Sequence, residues 1–162
     1  MDQESDPRKN PPQLPDGMYN ARVDEKGRLK LPQEFIDFFK ELTDKKLFVT
    51  SLDRRIGQIY TTATWEKNKQ FLLNYRANAR VAQNVAFNAN DLGGNAEMDN
   101  QGRILLPPEM RRELGLENES VRIFQYKGRV EIYGPRVYGE RKRRASATPE
   151  ADAEFMEQEG LD

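Results

Sequence analysis

The segment Asp24-Glu25-Lys26-Gly27-Arg28-Leu29-Lys30-Leu31-Pro32 returns 75 positions later as Asp99-Asn100-Gln101-Gly102-Arg103-Ile104-Leu105-Leu106-Pro107. Aligning Ala21–Glu34 with Ala96–Glu109 gives seven identities in fourteen positions. The same succession follows each copy: an apolar-periodic stretch, a β-rich stretch, then the matched pairs Ile59-Tyr60 and Ile132-Tyr133. A chain with internal repetition of this kind folds as two related units.

Each residue type in the unit has a local reason. The Gly three residues after Asp supplies the positive φ that a tight reversal needs. Arg-Leu-x-Leu then alternates as a half-buried strand does, and Pro stops the ladder and pre-sets the first helical turn. The unit therefore reads as strand, turn, strand, helix start. Asp24 with Arg28, and Asp99 with Arg103, are spaced to meet across their turns. Such a pair is a turn-stabilising salt bridge, a carboxylate holding a guanidinium ready for an outside anion, or both.

Phe35, Ile36, Phe38, Phe39 and Leu42 fall at helical spacing, followed by a hairpin of Leu47–Leu52 and Ile56–Thr61 with its tip at Asp53-Arg54-Arg55. Thr62 or Thr64 is positioned to cap a helix through Trp65, Phe71 and Tyr75, aromatics that the pattern assigns to packing. A second helix over Ala79–Ala89 ends at Asp91-Leu92-Gly93-Gly94, and the pair reads as a connector without a counterpart in the second half. In the second copy, Pro107-Pro108 opens a helix through Met110 with Gly115 just past its end, and Ser120–Tyr126 and Arg129–Tyr133 form a hairpin about Lys127-Gly128.

The expected organisation is a disordered arm over residues 1–16, a first repeat over 17–61, a helical connector over 62–94, a second repeat over 95–138 and a disordered charged tail over 139–162. The arm is Pro-rich and charged, and the tail runs from Arg141-Lys142-Arg143-Arg144 into an acidic, small-residue segment. One repeat offers too few elements to close a core. Two together close a pseudo-two-fold β-barrel in which hairpins from both halves interleave, with the post-Pro helices plugging or flanking it. That placement presents Arg28 and Arg103 on one face.

Composition removes several functions. The chain has no Cys and no His, which excludes thiol chemistry, disulfides and metal sites built on those ligands. It has no long apolar run and no signal-peptide pattern at its start, so a cytoplasmic location without membrane contact is expected. The net charge of −1 conceals an uneven distribution: residues 18–138 carry 20 Lys and Arg against 16 Asp and Glu. A mildly basic core is compatible with nucleic acid.

The doubled Asp-x-x-Gly-Arg-x-x-Leu-Pro, written here as DEKGRLKLP and DNQGRILLPPEMRRELGL, resembles the MraZ family of bacterial transcriptional regulators over roughly residues 17–140. The resemblance implies an α+β, mainly β fold, a tandem-repeat double-split (swapped-hairpin) β-barrel with flanking helices. It further implies a ring-shaped homo-oligomer, nucleoid association, and binding of double-stranded promoter DNA at short G-rich repeats ahead of the division and cell-wall gene cluster. No cofactor, metal or small-molecule substrate accompanies it. The family's DNA-facing motifs map onto Asp24 with Arg28 and onto Asp99 with Arg103. Arg is chemically suited to guanine O6 and N7, while Lys26, Arg22 and Lys30 would add phosphate contacts. The second loop has Asn100-Gln101 where the first has Glu25-Lys26, so the two should not contribute equally. An oligomeric protein-interaction module with purely structural Asp–Arg turns is the alternative. An enzyme is the weakest reading, since the acidic pair Asp24/Glu25 sits on a turn with no pocket-forming constellation.

Overall fold

The structure is a computed structural model and describes residues 13–162. Among these residues eight strands are interspersed with six helices. The first half runs β1 (Tyr19–Val23), β2 (Arg28–Lys30), α1 (Gln33–Lys40), β3 (Leu47–Thr50), β4 (Gly57–Thr61), α2 (Thr62–Asn74) and α3 (Ala79–Leu92). The second half repeats the order with β5 (Gly94–Ala96), β6 (Arg103–Leu105), α4 (Pro108–Glu113), β7 (Glu119–Tyr126), β8 (Arg129–Tyr133), α5 (Pro135–Ala145) and α6 (Pro149–Gln158).

All strand pairs are antiparallel, in the order β5-β3-β4-β8-β7-β1-β2-β6, which makes a nearly closed barrel. The halves exchange strands. β1 pairs with β7 of the second half, and β5 with β3 of the first. Two further pairings join the halves directly, β2 with β6 and β4 with β8. In these ladders Arg28 faces Leu105 and Lys30 faces Arg103, while Gly57 faces Ile132 and Ile59 faces Val130. The pseudo-two-fold axis therefore passes through the pairs Leu29–Ile104 and Gln58–Glu131. The interleaving expected from the repeat is present, and neither half has a closed sheet of its own.

One core fills the barrel. Val23, Leu29, Val49, Ile104, Ile123, Val130 and Ile132 point inward from the strands, and α1 adds Phe35, Ile36 and Phe39 where α4 adds Met110. Alternation on each strand sends the intervening residues outward. A second, smaller cluster lies outside the barrel wall, where Trp65 of α2 stacks on Phe48 at 4.4 Å beneath α3. Arg54, at the β3–β4 tip with φ of 60°, donates to Asn88 (2.9 Å), Asp91 (2.6 Å) and Glu113 (2.8 Å), tying that tip to α3 and α4. The β7–β8 reversal at Lys127-Gly128 has positive φ at both residues, as a two-residue hairpin turn requires.

Five expectations change. Residues 139–158 hold the end of α5 and all of α6 rather than a disordered tail: α5 and α6 follow β8 as α2 and α3 follow β4, so the connector has a counterpart. Charge had suggested disorder, but Ala, Glu, Lys and Arg are strong helix formers, and Pro135 and Pro149 stand at helix starts. The cap of α2 is Thr61, whose hydroxyl accepts from the Thr64 N–H, not Thr62 or Thr64. Phe71 and Tyr75 do not pack on the barrel; they are 65% and 40% exposed. Residues 1–12 of the arm lie outside the described residues, but Leu14 packs against the core and Asp16 accepts a hydrogen bond from Gln125 at 3.0 Å. Among the described residues no helix is long and apolar enough to cross a membrane.

Candidate nucleic-acid interface

The two repeated turns have nearly the same geometry. In the first, the Asp24 N–H donates to the Arg28 carbonyl at 3.0 Å and the Gly27 N–H to the Asp24 carbonyl at 3.0 Å. Asp24 Oδ1 accepts from the Lys26 and Arg28 N–H groups at 3.0 and 2.9 Å, and Oδ2 accepts from Arg28 Nε at 2.8 Å. In the second, Asp99 Oδ1 accepts from the Gln101 and Arg103 N–H groups at 2.9 Å each, and Oδ2 from Arg103 Nε at 2.9 Å. Each carboxylate thus shapes its turn and fixes its guanidinium by the inner nitrogen. Among the described residues, neither Arg28 nor Arg103 has a hydrogen-bond acceptor on its outer Nη atoms, which are left to meet something outside.

The turns also clasp one another. The Leu31 N–H donates to the Gly102 carbonyl at 3.0 Å, and the Leu106 N–H to the Gly27 carbonyl at 2.9 Å. Gly27 and Gly102 have φ of 82° and 75°, and a Cβ at Gly102 would stand 2.2 Å from Ile36 Cδ1. Only glycine fits there. Because Leu29 and Ile104 point into the core, Arg28, Lys30, Arg103 and Leu105 share the outer face of the β2–β6 ribbon. The two Arg side chains are 30% and 25% exposed.

The other expected site residues are disposed unequally. Lys26 is exposed at the first turn and Lys30 is exposed beside the second, where its ammonium donates to the Gln101 carbonyl. Arg22 shares the outer face, but its guanidinium is engaged with Asn118 at 2.7 Å and Ser120 at 3.4 Å. It braces β1 against β7. Sequence reasoning missed Arg111, which donates to the Lys26 and Leu106 carbonyls at 3.2 Å each and to Glu117 at 3.1 Å, so that it backs the first turn from α4. Its equivalent 75 positions earlier is Ile36, which backs the second. That mismatch in the repeat alignment was the available signal. One turn rests on a cation and the other on a hydrocarbon.

Both carboxyls are held below the ordinary value of 3.8, chiefly by the N–H of Arg28 or Arg103 and then, against a smaller opposing effect of burial, by the same residue's guanidinium. A depressed carboxylate contributes stability above its unfolded pKa and loses it as pH falls through the folded one. Stability from these turns is therefore constant from pH 8 to 5 and declines below about pH 4. In urea unfolding followed against pH, Asp24→Asn/Asp99→Asn is expected to show a shallower decline between pH 4 and 2 than the parent. Equal declines would mean that the turn carboxylates are not the groups being titrated.

No protein-family model matches the chain. It is 34% identical to the transcriptional regulator MraZ of Acidobacterium capsulatum over 122 residues, 75% of this chain and 77% of that protein. Against the MraZ of Moorella thermoacetica the identity is 34% over 143 residues, covering 86% and 94%. Against that of Alkaliphilus metalliredigens it is 30% over 149 residues, covering 90% and 98%. With likeness at this level across most of both partners, the chain belongs to the MraZ family of transcriptional regulators.

Proposed function

We propose that the chain is a sequence-specific, DNA-binding transcriptional regulator that reads guanine through Arg28 and Arg103. The observation that carries this reading is the pair of Asp-held guanidinium groups on one outer face, each with its outer nitrogens unengaged among the described residues. A planar fork whose inner nitrogen is held by an Asp carboxylate is suited to the O6 and N7 acceptors of guanine in the major groove. Lys26 and Lys30 supply phosphate contacts that set register, Asp24 and Asp99 orient the Arg side chains, and Arg22 acts by bracing β1. The family names of the relatives support the transcriptional role.

One barrel carries few such contacts, so useful affinity comes from several subunits meeting several repeats at once. The functional form is a ring-shaped homo-oligomer on short G-rich promoter repeats of the division and cell-wall gene cluster, acting in the cytoplasm at the nucleoid. An Arg28→Lys/Arg103→Lys protein tests direct readout, since it keeps both charges and loses both forks. It is expected to retain low-salt affinity for scrambled DNA while losing its preference for the native promoter. Undiminished preference would defeat base reading by these residues and favour a protein-interaction module with structural turns.

A further inference from the structure

The outer face of the β2–β6 ribbon carries three cations, Arg28, Lys30 and Arg103, and one hydrocarbon, Leu105. The repeat makes the exception visible. Lys30 and Leu105 are equivalent positions 75 residues apart, so one place on the fold holds an ammonium in the first copy and an isobutyl group in the second. Leu105 belongs to neither hydrophobic cluster and is 55% exposed. A single exposed leucine is ordinary on a protein surface. This one stands among the cations of the face assigned above to DNA.

Strand register fixes its neighbour. Leu105 is directly opposite Arg28, and Lys30 is directly opposite Arg103. Opposed side chains on one face of an antiparallel pair stand about 5 Å apart at Cβ, comparable with the roughly 3.4 Å between successive base pairs. A two-stranded ribbon fits the major groove, and the apolar feature that a base pair offers there is the thymine methyl. Beside Arg103, the Lys30 ammonium, which donates to the Gln101 carbonyl, presents charge in place of apolar surface.

We propose that Leu105 reads the thymine methyl of the base pair next to the guanine held by Arg28, an assignment that rests on the guanine reading above and adds a second base to it. Lys30 has no such contact to offer. The pseudo-two-fold ribbon therefore reads a site that is not two-fold: guanine with a neighbouring thymine on the Arg28 side, and guanine alone on the Arg103 side. Leu105 thereby sets the direction in which the barrel lies on its site.

Uracil in place of thymine removes the methyl and leaves the pairing edge and the minor groove unchanged. Fluorescence anisotropy compares the native promoter fragment with the same fragment carrying deoxyuridine at every thymine, for the parent, Leu105→Ala and Lys30→Ala, with the repeat-scrambled fragment as reference. The parent is expected to bind the uracil fragment about fourfold or more weakly, the effect of one buried methyl group at each contact. Leu105→Ala, folded with the parent's unfolding midpoint, is expected to bind the native fragment at least as weakly and to be indifferent to uracil. Lys30→Ala, which loses a phosphate contact, keeps the parent's uracil ratio. A parent that prefers the native fragment to the scrambled one yet binds the uracil fragment equally well would overturn the thymine contact and leave the guanine reading standing. So would a uracil penalty that persists undiminished in Leu105→Ala, or one that vanishes equally in Lys30→Ala. A parent with no preference for the native fragment over the scrambled one would overturn both.

Discussion

Replacing Arg28 and Arg103 together by alanine is expected to weaken binding to the native promoter by roughly a hundredfold or more, since each bidentate Arg–guanine pair contributes about 1–3 kcal/mol of discrimination. The fold should survive. Asp24 and Asp99 keep their hydrogen bonds from the Lys26, Arg28, Gln101 and Arg103 N–H groups, which do not depend on the side chains removed. The thermal midpoint is accordingly expected to stay within a few degrees of the parent. The single variants should be unequal, because the first turn rests on Arg111 and is flanked by Lys26, whereas the second rests on Ile36 and is overlaid by Lys30. Anisotropy titration of the three proteins measures this. Parent-like affinity in the folded double variant would remove both Arg residues from the interface.

The largest loss of stability is expected at the pseudo-two-fold axis. Leu29 and Ile104 are fully buried and face each other in the β2–β6 ladder, so truncating either leaves a cavity between the two halves. Leu29→Ala is expected to cost about 2–5 kcal/mol, against a net stability of roughly 5–15 kcal/mol for a typical domain. Leu105→Ala is the control: Leu105 lies next to Ile104 but is 55% exposed, and its removal should change stability by about 0.5 kcal/mol or less. Urea unfolding compares them. Similar losses at Leu29 and Leu105 would mean that this ribbon does not seal the core.

Much of this arrangement is legible in the residues. Gly27 and Gly102 mark reversals because glycine takes the positive φ there without strain, and Pro32 and Pro107 mark the helix starts that deliver Phe35 and Met110 to the core. The Asp–Arg pairs were legible for the same reason, since donor, acceptor and turn lie within five residues. Contacts between distant segments were not. Nothing in Arg22 indicates that Asn118 and Ser120 would engage it, or in Arg111 that it would reach the Lys26 carbonyl, because both depend on strand exchange between the halves. Residues 139–162 failed for another reason. High charge does argue against burial, and α6 is indeed unburied, but it does not argue against a helix whose N-terminal turn holds Glu150 and Asp152, where the helix dipole favours negative charge.

This member of the MraZ family is expected to recognise a DNA sequence and not merely a polyanion. Fluorescence anisotropy of the purified protein against its own upstream promoter fragment and a repeat-scrambled control, at low and near-physiological salt, tests it most directly. Tight binding to the native fragment that persists at the higher salt and is lost on scrambling is the expected result. Equal, weak and steeply salt-sensitive binding to both fragments would contradict it, leaving the basic face as a generic phosphate surface.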